Sequence, residues 1–161
     1  MGHGPVRLTE CLADLGNMQV ALPVLGCALV YALVRGARRI PLLAVLAMAA
    51  VPALIVPLKA WIARPGPLTE AAGYYPSGHA ATAAVAYGAA ALVTAPYAQR
   101  SMRSWMMPVA AVLLTAATGI GLVLRGYHWP LDVLAGWCLS GLLLVALSWS
   151  SGRSRRRQPP K

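Results

Sequence analysis

Apolar residues fall along this chain in long unbroken runs rather than in alternation. Five runs stand out: Leu15–Val34, Ile40–Ile62, His79–Ala98, Trp105–Leu124 and Leu131–Trp149. A hydrocarbon layer about 30 Å thick takes about 20 helical residues at about 1.5 Å each, and each run has roughly that length. Membrane-spanning strands would alternate between lipid-facing and inward-facing residues, which these runs do not. The pattern predicts an all-α, polytopic membrane helical bundle of about five transmembrane helices. Residues 1–14 read as a short N-terminal segment, too brief and too polar for another crossing. Residues 15–150 read as one membrane helical domain, and 151–161 as a basic cytoplasmic tail without regular structure.

Composition supports this reading. The chain has 161 residues, enough for one domain. It is 58% hydrophobic and 11% charged, whereas a soluble domain is about half apolar and about a quarter charged. A net charge of +10 would suit a nucleic-acid binder. The basic residues, however, are grouped between apolar runs, which leaves no soluble binding face and argues against nucleic acid as a partner.

Those basic groups also orient the bundle. If the spans alternate, Arg35, Arg38, Arg39, Arg100, Arg103, Arg153, Arg155, Arg156, Arg157 and Lys161 share one side, and Arg7, Lys59, Arg64 and Arg125 share the other. Ten against four makes the first side cytoplasmic. The 64–77 and 125–130 connections then face outward from a cell membrane, expected to be a bacterial plasma membrane. The first fifteen residues hold Arg7, Glu10 and Asp14 and lack the compact apolar core of a cleavable signal. Cys11, Cys27 and Cys138 match no metal spacing, and the latter two lie inside apolar runs, where cysteine is a small hydrophobe.

The outward ends of the spans collect polar side chains. Lys59 lies in the last turn of span two, with Arg64 just beyond it. Ser77, Gly78 and His79 open span three, Arg125 and His128 follow span four, and Asp132 opens span five. Taken singly, each has an ordinary explanation. Lys59 could snorkel to headgroups, and Arg64 could anchor to lipid phosphate. The stretch "YHWP" could be interfacial aromatic belt, and Asp132 could complement a helix N-terminus. Their convergence on one membrane face with "PSGH" (76–79) is harder to explain by packing. Pro76 stops a preceding helix, Ser77 suits an N-cap and Gly78 allows close backbone approach. Free amides at a helix start favour an anion. With Lys59, Arg64 and Arg125 nearby, the expected anion is a phosphate.

The histidines supply chemistry. A metal site would need further carboxylate or thiolate ligands that the neighbourhood lacks, and cations would repel the ion. His128 and Asp132 are four apart, with Pro130 suited to the first helical position. A carboxylate on one ring nitrogen fixes the tautomer and frees the other to attack. His79, from another helix, can protonate the leaving oxygen.

The ordered set "KAWIARPGP", "PSGH" and "RGYHWPLD" resembles the type-2 phosphatidic acid phosphatase superfamily, which also holds bacterial acid phosphatases and vanadium haloperoxidases. The resemblance covers about residues 59–136. It implies that His128 is the nucleophile forming a phosphohistidine, Asp132 its orienting partner and His79 the acid. Lys59, Ser77 and Gly78 would bind phosphate, with no cofactor and no metal. The expected activity is that of an outward-facing membrane phosphatase acting on a lipid phosphate, of phosphatidate type or a polyprenyl diphosphate, within the bilayer. The alternatives are transfer of the phosphoryl group to another acceptor, or a member that binds lipid phosphate with little turnover. A haloperoxidase does not suit the apolar spans. The chain departs from the family's spacing in two motifs. With six residues in between, Lys59 is followed by Gly66-Pro67 rather than Arg-Pro, with Arg64 two earlier; and the position six before His128 is Leu122, with Arg125 three before it. Membrane members commonly have six spans rather than five.

Overall fold

A computed structural model describes residues 4–98 and 103–155. Its helices are α1 (Gly4–Asp14), α2 (Met18–Val34), α3 (Arg39–Ile62), α4 (Gly78–Thr94), α5 (Arg103–Leu124) and α6 (Pro130–Arg155), with a single 3₁₀ turn at Ala95–Tyr97. Among the described residues there is no strand beyond an isolated bridge, Gly66 to Thr69. The protein is thus an all-α membrane bundle. Among the described residues four helices are long and apolar enough to cross a membrane, or five if α1 and α2, which meet at a bend of 46°, count as one broken span.

The expected spans fall close to these helices, with two differences at the termini. The first run does not begin its helix at Leu15, because Leu15 and Gly16 form an elbow and Asn17 precedes α2. The Leu15 carbonyl accepts the Tyr87 hydroxyl at 2.6 Å. A carbonyl freed from a helix ladder is thereby satisfied from a neighbouring helix. The expected N-terminal segment contains a helix, α1, docked along the end of α5. Gly121 makes that docking possible, since a Cβ there would collide with the Ala13 amide and with Leu12. At the other terminus α6 continues to Arg155, so the first residues expected in the unstructured tail are helical. Residues 156–161, the remainder of that tail, lie outside the described residues, as does Arg100 of the connection before α5.

α4 is the centre of the bundle. Ala80, Ala81, Ala83, Ala86 and Ala89 are buried, as are Val85, Tyr87 and Val93. Lipid tails are as apolar as leucine, so small side chains that let backbones approach hold membrane helices together by dispersion. α2, α5 and α6 pack round α4, and α3 closes the remaining side through Ala47, Val51 and Ile55 against Ala81 and Val85. A third cluster, Ala13, Ala80, Leu122 and Val133, ties α1, α4, α5 and α6 together beneath one end of the bundle. Large apolar residues such as Leu42, Val112, Leu113 and Leu142 point outward to lipid. Trp61 and Trp129 mark one end of the bundle, and Trp105 and Trp149 the other, all exposed. That is the placing of aromatic belts at two membrane interfaces.

Candidate active site

Three helix ends build the site, and each is shaped by local sequence. α4 begins at Ser77, whose side-chain oxygen accepts the Ala80 amide at 3.3 Å. α5 ends in a Schellman motif: Gly126, at φ +68°, donates its amide to the Val123 carbonyl, and Tyr127 donates to Leu122 at 2.9 Å. "RGYHW" is therefore a helix stop, which turns the chain so that His128 comes back over the bundle. α6 begins at Pro130, and the Asp132 carboxylate accepts the Trp129 amide at 3.0 Å. That is the reaching-back half of a capping box.

Asp132 is the hub. It is wholly buried. One carboxylate oxygen accepts Arg64 at 3.0 Å. The other faces His128 Nδ1 at 3.4 Å as well as the Trp129 amide. Its backbone carbonyl accepts the Ser77 amide at 2.9 Å, which ties the starts of α4 and α6 together. Gly136, one turn on, lies against the Ser77 carbonyl, where a Cβ would sit 2.7 Å from that oxygen. The Arg64 guanidinium also stacks 5.8 Å from the Trp129 ring, and the indole donates to the Pro65 carbonyl at 3.3 Å. The loop from α3 is thereby pinned over α6.

His79 and His128 open into one cavity of about 480 Å³. Tyr74 lines it and stands 5.7 Å from the His128 ring. His128 is nearly buried, at 7% exposure. Burial is the largest influence on this ring and pushes its pKa down. The Asp132 hydrogen bond and charge push it up, Lys59 and His79 push it down again, and the balance lies below the ordinary histidine value. The ring is therefore neutral at pH 7. With Nδ1 turned to Asp132, Nε2 is the nitrogen left for chemistry. Lys59, half-buried on α3, lies close enough for its charge to act on both imidazoles and on Asp132.

Of the residues singled out from sequence, His79, His128, Asp132, Arg64 and Lys59 come together at this end. Ser77 and Gly78 form the start of α4 beneath them, with Ser77 buried and capping. Arg125 turns elsewhere: it pairs with Glu10 of α1 at 3.6 Å and donates to the Tyr127 hydroxyl at 3.4 Å. Leu122, six before His128, is part of the cavity wall. Sequence reasoning missed Asp14, Asn17, Leu68, Thr69 and Tyr74, which also line it. Only the chain's return from α1 and from the 64–77 loop reveals them. Two further apolar clefts between helices lie away from the histidines. Among the described residues no three His, Cys, Asp or Glu side chains converge as metal ligands.

A family model described as the PAP2 superfamily matches residues 40–156. A transmembrane PAP2-type phosphatidylglycerolphosphate phosphatase from Bacillus subtilis, known from its crystal structure, superposes with a TM-score of 0.82. It is 24% identical, over 100% of this chain and 82% of that one, a likeness of fold. No curated protein matches in sequence.

Proposed function

The chain belongs to the PAP2 superfamily, and from that premise we propose that it is a metal-independent lipid phosphatase working through a phosphohistidine. The observation that carries the reading is the pair of imidazoles on one cavity, with a buried carboxylate behind His128. In the first half-reaction His128 Nε2 attacks phosphorus as the bond to the lipid oxygen breaks, and His79 gives that oxygen a proton. In the second, neutral His79 takes a proton from water, which attacks the phosphohistidine and releases phosphate. Lys59 and the free donors of Arg64 stabilise charge spread over the equatorial oxygens, as phosphoryl transfer requires. Metal independence is supported by the donor set: the oxygens of Asp132 are already engaged by Arg64, His128 and the Trp129 amide.

The substrate class is a phosphomonoester or diphosphate on a lipid, because the cavity opens at the interface end of the bundle. The basic loops at the opposite end support an orientation with this end outside the cytoplasm. Purified in detergent with EDTA present, the protein is expected to release phosphate from at least one of phosphatidate, phosphatidylglycerol phosphate and a polyprenyl diphosphate. Vanadate, which mimics the five-coordinate phosphoryl group, should inhibit, and His128→Ala should abolish release. Activity lost with EDTA and restored by a divalent ion would overturn the metal-free reaction. A second reading, a member that binds lipid phosphate with little turnover, is favoured by Arg125 facing Glu10 and by Leu122 in the wall. It predicts binding without release, and residual activity indifferent to His128→Ala.

A further inference from the structure

Resting on the phosphohistidine reading, we propose that Asp14, on the elbow between α1 and α2, is a positioning residue for His79. Its charge favours the protonated ring that serves the leaving oxygen. A carboxylate in the wall of a phosphate cavity needs a reason, since it repels the ligand. Asp14 lines the same cavity as His79 and His128. The elbow is seated directly on the first turn of α4, because Gly16 has no side chain; a Cβ there would lie 3.0 Å from the His79 carbonyl oxygen and 2.6 Å from Thr118 Cγ2. The elbow is also held in place. The Leu15 carbonyl takes the Tyr87 hydroxyl, and the Asn17 amide side chain donates to Asp14 Oδ1 at 2.8 Å. That hydrogen bond leaves the other Asp14 oxygen free.

His79 has need of such a partner. His128 has Asp132, whose oxygens are engaged, whereas His79 faces Lys59 from α3 and His128 and Tyr127 from the connection before α6, with Tyr74 from the loop. Cations beside an imidazole drive its proton off, and a general acid must keep that proton until the lipid oxygen departs. Asp14 is the carboxylate whose charge reaches His79 within the shared cavity. The proton it helps retain passes to the leaving oxygen as phosphorus bonds to His128, and is replaced from water in the second half-reaction.

The test is Asp14→Asn, which keeps the shape and the acceptor for Asn17 but removes the charge. The readout is kcat/KM against pH, which covers only the first half-reaction. The probes are a short-chain phosphatidate and p-nitrophenyl phosphate, whose leaving group needs little protonation. With phosphatidate, the alkaline limb is expected to move down by about half a pH unit or more, because the proton leaves His79 sooner. At pH 8 the rate is expected to fall at least about threefold. With the aryl ester the change should be small, and Asp14→Glu should restore most of the limb. An unshifted limb, or an equal loss on both esters, overturns the assignment. If the wild type turns over and His128→Ala does not, that failure concerns Asp14 alone. If the wild type turns over neither probe, the phosphohistidine reading falls, and this inference with it.

Discussion

Asp132 occupies a position where a carboxylate would ordinarily be costly. Burying a charge is expensive unless it is paired and hydrogen-bonded. Arg64, His128 and the Trp129 amide meet that cost, and each gains from it: Arg64 is drawn under the loop, the ring is aligned, and the α6 start is capped. The His128 pKa is lowered chiefly by burial, against the upward pull of Asp132. The neutral nucleophile therefore persists below pH 7, and the acidic limb of kcat/KM should lie under about 6.5. Asp132→Asn removes the upward pull, so that limb should move to still lower pH. The rate should meanwhile fall by about 10³-fold as the tautomer is no longer fixed. A limb that moves upward would contradict this account of the ring.

At the site end helices α4 and α6 meet through glycine and backbone, and this contact sets the distance between the elements carrying His79 and Asp132. Gly136→Ala would force a methyl against the Ser77 carbonyl. The expected cost is about 1–3 kcal/mol of stability, read as a lower unfolding temperature in detergent, with loss of turnover. Gly141→Ala, five residues on in the same helix and with open space round its Cα, should be neutral or slightly stabilising. α1 is a separate case. It is held to α5 by the close approach at Gly121 and by the Arg125–Glu10 pair. Arg125→Ala is expected to leave kcat/KM within about threefold of wild type, as exposed ion pairs contribute little. A tenfold loss would instead put that guanidinium on the phosphate.

The bundle as a whole is polarised, with the histidine-bearing cavity at one end and the Arg-rich α2–α3 connection at the other. In a variant with Cys11, Cys27 and Cys138 replaced by alanine, Glu70→Cys should react with a membrane-impermeant maleimide in intact cells. Arg38→Cys should react only after permeabilisation. The reverse pattern would place the cavity in the cytoplasm and rule out an external substrate.

Much of this was legible in the chain itself, because hydrophobic length, helix stops and charge placement are local properties. The runs at 40–62, 105–124 and 131–149 locate their helices to within a few residues at the site end. Ser77, Gly126 and Pro130 act as the punctuation their types imply. The pairing of His128 with Asp132 follows from a spacing of four at a helix start. What tertiary structure alone decided is where distant segments return. Asp14 ends a stretch whose polarity marks it only as not spanning the membrane, and Asn17 lies inside the first predicted run. They become cavity wall because Gly16 and Gly121 let that stretch settle on α4 and α5. Arg125, one turn from the expected position, turns to Glu10 because α1 lies beside it. Periodicity and spacing describe a helix and its ends; which side chain a guanidinium meets depends on a neighbour more than a hundred residues away in sequence.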